Sequence, residues 1–162
     1  MPLVSLGFIA LLISADQFIK HLVSVYLKPI GHVTIIDGFF QLDYLENTGA
    51  AFGILKDHRW IFILLTIIYC IAMLVILFKY NHKLDRLSNV VLVLLMAGGV
   101  GNLIDRIARG YVIDYLNFPF FGYVFNLADC CVVIGTFLLL LWFIKSQAAE
   151  KKQDDKITPS ED

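Results

Sequence analysis

The stretch from Trp60 to Phe78 reads WIFILLTIIYCIAMLVILF and holds no charged residue in 19 positions. In a helix rising about 1.5 Å per residue, it crosses the roughly 30 Å hydrocarbon core of a bilayer. Two further runs follow. Leu87 to Ile104 has 18 uncharged residues; Cys130 to Ile144 has 15 and extends back through Asn126–Asp129 to about Val124. The first stretch, Leu3 to about Leu27, is apolar except for Asp16, Lys20 and His21. None of the four alternates apolar and polar residues, which argues against a β-barrel. The pattern predicts transmembrane helices near 3–27, 60–79, 87–105 and 124–144.

Composition agrees. Of 162 residues, 59% are hydrophobic and 17% charged, with a mean hydropathy of +0.76; soluble domains average roughly 45–50% and 25%. Thirteen Lys and Arg against 14 Asp and Glu leave no basic field for nucleic acid. Cys70, Cys130 and Cys131 all lie in apolar runs and read as packed thiols. The four histidines are scattered without ligand spacing, so no metal site and no cofactor are expected. The N-terminus lacks a basic start and a small-residue cleavage site, so it is expected to stay as a helix.

Outer loops are expected at 28–59 and 106–123. Within the first, His32–Ile36, Asp37-Gly38 and Phe39–Leu45 read as strand, turn and strand. The chain is therefore expected to be a mainly α membrane protein, with four transmembrane helices and a small extracytoplasmic β-hairpin or cradle. One domain is expected over 1–146, with a polar, frayed cytoplasmic tail over 147–162.

Charged groups inside apolar helices are expensive and so point to function. Asp16 and Lys20 share a helix face, as do Asn102, Asp105 and Arg106, and Asn126 and Asp129. With the helices alternating across the bilayer, all three clusters and both long loops fall on one side. Lys79, Lys83 and Arg86 crowd the short loop between the second and third helices, which places both termini inside and the polar site outside.

Asp114 and Asp129 are 15 positions apart. Phe118-Pro119-Phe120-Phe121-Gly122 between them is placed to fold back and bring them together. Two carboxylates in one poorly hydrated site share a proton, and together they supply a general base for water and a general acid for a peptide carbonyl. From spacing alone, a helix-start Asp capping free amides plus an unrelated loop Asp is the simpler reading. Asp16 with Lys20 reads as an intrahelical pair, Arg106 as a side chain snorkelling outward from a helix end, and Gly98, Gly99 and Gly101 as close helix packing. Asn47 either bonds a substrate backbone or closes a turn. Two other classes fit these cues: a proton-coupled transporter, which would carry its polar groups near mid-bilayer or show inverted repeats, and a structural membrane scaffold.

Five segments taken together resemble the bacterial lipoprotein signal peptidase (signal peptidase II) family: Asp16-Gln17-Phe18-Ile19-Lys20, Asn47-Thr48-Gly49-Ala50-Ala51-Phe52-Gly53, Ala97 to Arg106, Val112-Ile113-Asp114-Tyr115 and Phe125-Asn126-Leu127-Ala128-Asp129. The resemblance runs from about residue 10 to 144. Departures are Ile19 where Ser or Thr is common, Tyr115 for Phe, and Cys130 for Ser, which puts a hydroxyl contact there in question. The resemblance implies a membrane aspartic endopeptidase of the bacterial cytoplasmic membrane that removes the signal peptide of diacylglyceryl-modified prolipoproteins, cutting just before the lipidated Cys. It implies that Asp114 and Asp129 are catalytic, and that Asp16, Lys20, Asn47, Gly49, Asn102, Arg106, Asn126 and Ala128 bind substrate or support the site, with Asp105 structural beside them. The implied partners are lipid-modified prolipoproteins, membrane lipid and globomycin-type inhibitors.

Overall fold

The computed structural model describes residues 2–49 and 59–157. Helix α1 (Pro2–Leu22) widens into a π-type turn over Val23–Leu27, where the Lys28 amide donates to the Val23 carbonyl at 2.9 Å. Strands β1 (His32–Ile36) and β2 (Phe40–Asn47) follow, then α2 (Arg59–Lys79), a 3₁₀ turn at Asn81–Lys83, α3 (Arg86–Ala108), β3 (Val112–Phe118), β4 (Tyr123–Phe125) and α4 (Leu127–Ile157). All four helices contain a window long and apolar enough to cross a membrane. Their large apolar side chains point outward: Leu3 is 81% exposed and Trp60 67%, with Phe8, Leu64, Ile134 and Ile144 similarly bare. In water such a surface would aggregate; in a bilayer it is the solvated face.

Helix α3 is the central element, packing against α1, α2 and α4. Its glycines permit this. A Cβ on Gly98 would lie 2.4 Å from the Ala128 carbonyl oxygen, and one on Gly101 2.8 Å from Asp16 Oδ2. The expectation of close helix packing there is met.

The expected hairpin forms, with His32 opposite Asp43 and Thr34 opposite Gln41, around the turn in which Gly38 adopts φ +66°. Three expectations need correction. The segment 106–123 is not a loop: α3 continues to Ala108, Gly110 at φ +88° turns the chain out of the helix, and β3 and β4 extend the hairpin into a four-stranded antiparallel sheet in the order β1-β2-β3-β4. Apolar Val112 and Ile113 disguised the strand because consecutive residues, which point to opposite faces of a strand, are both buried here. The last helix starts at Leu127 instead of near 124, since Tyr123–Phe125 pair with β3. At its other end the backbone stays helical to Ile157, well past the expected frayed start of the tail. Ala, Glu, Lys and Gln there are good helix formers, and no Gly or Pro interrupts them before Pro159. The sheet caps the bundle through Val23, Leu27, Ile113 and Tyr115; a second core joins Ile9, Leu77 and Met96.

Candidate active site

The start of α4 organises the polar end of the bundle. The first amides of a helix lack partners within it, and here each is met by a different element. The Tyr115 hydroxyl accepts from Leu127 N at 3.2 Å, Asp16 Oδ1 from Ala128 N at 3.0 Å, and Asn126 Oδ1 from Asp129 N at 2.8 Å. Asp129 Oδ2 accepts in return from Asn126 N at 3.1 Å, a reciprocal capping box. The start of α4 is thereby tied to α1 and β3, and the Asp129 side chain is held at a defined height. Ala128 has no room to be larger, with 1% of its surface exposed.

Beneath this lies an ion cluster whose Lys20, Asp16 and Asp105 side chains are buried and whose Arg109 reaches the surface. Lys20 Nζ donates to Asp16 Oδ2 at 2.9 Å and Asp105 Oδ2 at 3.0 Å, with the side chains of Lys20 and Asp105 fully buried. Arg109 pairs with Asp105 Oδ1, and the Ile113 amide donates to Asp105 Oδ2 at 3.2 Å. Two carboxylates and two cations make the cluster neutral, which is what a low-dielectric interior requires. No buried side-chain polar atom among the described residues lacks a partner. Gln17 stitches the cluster further, donating to Asp16 and Asp105 and to the Gly101 carbonyl, and accepting from Arg109. Gln17 and Arg109 were missed in the sequence; the usable signals were the position of Gln17 beside Asp16 and the i, i+4 relation of Asp105 to Arg109.

Two asparagines connect the cluster to the carboxylate pair. Asn102 accepts from Lys20 Nζ at 3.0 Å and donates to Asp129 Oδ1 at 2.7 Å. Asn126 Nδ2 donates to Asp114 Oδ1 at 2.6 Å and to Asn102 Oδ1 at 3.2 Å. From the sheet, Asn47 Nδ2 donates to Asp114 Oδ2 at 2.9 Å, while Asn47 Oδ1 accepts from Gly49 N at 3.0 Å. Asn47 therefore both closes a turn and touches the carboxylate. Each carboxylate of the pair accepts two N–H donors, which fixes its orientation.

Asp114 and Asp129 line one cavity of about 970 Å³, with walls that include Phe62 and Thr66 of α2, Gly98 and Gly99 of α3, and Val132 of α4. Burial, reinforced by the neighbouring Asp129 charge, pushes the Asp114 carboxyl up to about 7. Arg106 also lines this cavity rather than snorkelling outward. Its guanidinium sits 5.1 Å from the Phe62 ring centroid and donates to the Gly49 carbonyl at 3.3 Å, so cation–π attraction and a backbone acceptor outweigh exposure to headgroups. At the rim, Glu46 accepts from Lys28 and Tyr44, each at 2.9 Å, and the Lys28 bond holds its carboxyl below the usual range. Every sequence-named site residue is thus in or directly behind the cavity; Ala50 to Gly53 of the second motif lie outside the described residues.

A family model described as Signal peptidase (SPase) II matches residues 8–145. The chain belongs to the signal peptidase II family. It is 41% identical over 139 residues to the lipoprotein signal peptidase of Caldanaerobacter subterraneus subsp. tengcongensis, covering 86% of this chain and 92% of the relative. It is 39% identical over 137 residues to the lipoprotein signal peptidase of Clostridioides difficile, covering 84% and 91%. A solved structure described as a bacterial membrane enzyme superposes with a TM-score of 0.80 at 31% identity, covering 90% of both chains; a second reaches 0.75 at 33%. Membership makes the chain a multi-pass membrane peptidase of the signal peptidase II type. The transporter and scaffold readings are displaced.

Proposed function

We propose that Asp114 and Asp129 are the catalytic pair of an aspartic endopeptidase that removes the signal peptide from diacylglyceryl-modified prolipoproteins, cutting just before the lipidated Cys. The observation that carries this reading is that the two carboxylates, 15 positions apart, line one cavity and are joined through the Asn126 side chain and backbone. The pair shares one proton in the resting state, and the raised Asp114 carboxyl suits Asp114 to the role of acid. Asp129 takes a proton from the attacking water as its oxygen bonds to the scissile carbonyl carbon, and Asp114 gives its proton to the carbonyl oxygen. Collapse of the resulting diol breaks the C–N bond as the proton on Asp129 goes to the leaving nitrogen and Asp114 takes a proton from one diol hydroxyl, which leaves the carboxylic acid product and restores the singly protonated pair. Arg106 balances the one negative charge of the pair.

A lipid-anchored substrate keeps its acyl chains in the bilayer and its scissile bond near the interface, which suits a site where helices meet a capping sheet. The density of Lys and Arg in the short loop between α2 and α3 supports cytoplasmic termini and a site near the extracytoplasmic face of the bacterial cytoplasmic membrane. Globomycin-type cyclic peptides and the substrate are expected to compete for the same cavity. The test is cleavage of a diacylated prolipopeptide by purified protein: processing at the residue before the lipidated Cys, blocked by globomycin, is expected. Normal processing by folded Asp114→Asn and Asp129→Asn would sink the assignment.

A further inference from the structure

At the membrane end opposite the carboxylate pair, a groove of about 590 Å³ runs between the first half of α1 and the first half of α3. The two helices run parallel there. Lining residues extend from Val4 to Leu12 on α1 and from Arg86 to Leu94 on α3, about 12 Å along each axis. That is close to the roughly 15 Å of hydrocarbon in one leaflet, half of the bilayer core. Polarity is graded along it. Arg86, Ser5 and Asn89 stand at the helix-start end, whereas Phe8, Leu11, Leu12, Val93 and Leu94 line the remainder. The Ser5 hydroxyl donates to Asn89 Oδ1 at 3.4 Å, bridging the two helices across the polar end.

Charge around that polar end is positive. Arg86 opens α3, where the helix dipole also favours an anion. Lys79 and Lys83 flank the Tyr80 ring. Among the described residues the acidic group here is Asp85, whose side chain caps α3 by accepting from Ser88 N at 2.8 Å and whose carboxyl is held low, chiefly by Ser88, with Lys145 also facing it. Arg86, Lys79, Lys83 and Lys145 against Asp85 leave a net surplus of three positive charges.

We propose that this groove is a binding site for one anionic phospholipid of the leaflet at the α2–α3 turn, its phosphate at Arg86 and an acyl chain along Phe8, Leu11 and Val93. The gradient from a cationic head end to an apolar trough one leaflet deep is the complement of an anionic lipid, and a zwitterionic lipid fills the trough without the head-end attraction. The site is separate from the peptidase cavity, so occupancy stabilises the α1–α3 pair without entering the reaction.

Native mass spectrometry of the full chain, titrated in detergent with phosphatidylglycerol or phosphatidylcholine of matched chains, tests this. One phosphatidylglycerol adduct is expected at about fivefold lower concentration than the phosphatidylcholine adduct, the value of roughly one basic residue near a membrane surface. Arg86→Gln is expected to erase the preference, Arg86→Lys to keep most of it, and Lys28→Gln at the opposite end to leave it intact. Val90→Trp, which fills the trough from an exposed position, is expected to weaken both adducts. Glycerol 3-phosphate, a head group without chains, is expected not to displace the lipid. Equal retention of the two lipids by the unaltered chain overturns the proposal, whether or not Arg86→Gln folds. So does an unchanged preference in folded Arg86→Gln, displacement by glycerol 3-phosphate, or a dimer lost in Val90→Trp, which assigns the groove to a second copy. Cleavage of a diacylated prolipopeptide by Arg86→Gln in detergent is expected to match the unaltered chain, so failure here and failure of the peptidase assignment are distinguishable.

Discussion

Helices α2 and α3 lie side by side and treat their residues in opposite ways. The span on α2 is the most apolar of the four, yet little of it is buried; the span on α3 is much less apolar, yet more of it is buried than of any other. In a soluble protein the order would be reversed. The difference teaches that hydropathy in a membrane protein reports contact with lipid, whereas burial in protein goes to helices able to supply small residues and hydrogen bonds. Helix α3 supplies both, through Gly98, Gly101, Asn102 and Asp105.

The contrast is broken hardest at the polar end that α3 organises. Asp114→Asn and Asp129→Asn are each expected to lower kcat/KM on a diacylated prolipopeptide by roughly a hundredfold to ten-thousandfold, while circular dichroism stays unchanged. Lys20→Met leaves Asp16 and Asp105 without their shared cation, and is expected to destabilise the fold by about 3–5 kcal/mol in detergent unfolding. Because Asn102 Oδ1 then loses one of its two donors, keeping only Asn126 Nδ2, activity should fall in the protein that remains folded.

A pH profile sharpens the account of the pair. The Asp114 carboxyl is raised to about 7, so its proton is held below that pH and lost above it. If Asp114 is the acid, kcat/KM should fall about tenfold per pH unit on the alkaline side of about 7, and a profile flat to pH 9 would remove Asp114 from that role. The same sign applies to stability. A carboxyl raised by burial favours folding most below its unfolded value and loses that contribution as pH rises towards about 7.

Packing gives smaller effects with a clear sign. Gly98→Val drives a side chain into the Ala128 carbonyl, a backbone atom that cannot step aside, and is expected to cost about 1–3 kcal/mol. Leu64→Ala on the bare face of α2 exchanges one lipid contact for another and should stay within about 0.5 kcal/mol by the same unfolding measurement. If Leu64→Ala proved the costlier change, the contrast between the two helices would be wrong.

Local and distant contacts also differ in how legible they are from the chain. The four spans were legible because an uncharged run of that length suits a bilayer and little else. Asp114 and Asp129 were legible as chemistry only in the company of the other motifs, since their spacing alone favoured a cap and an unrelated loop residue. The structure makes Asp129 both: it caps α4 and faces the cavity. Strand β3 escaped notice because Val112 to Tyr115 are consecutively buried, which erases the alternation that betrays a strand. The inward turn of Arg106 was unreadable for a similar reason, because Phe62 and Gly49, which draw it in, come from distant parts of the chain.

By itself the sequence determined that the chain crosses a membrane four times, that its polar residues gather at one end, and that its motifs belong to a peptidase family. These follow from local properties: run length, helical spacing and motif identity. Only the tertiary structure decided that Lys20 neutralises two carboxylates, that Asn102 and Asn126 carry that cluster to the carboxylate pair, and that Arg106 completes the cavity. The Lys20–Asn102, Asn102–Asp129 and Asn126–Asn102 bonds join residues more than 20 positions apart, and their energetics depend on excluding water, which only the packed bundle and its capping sheet accomplish.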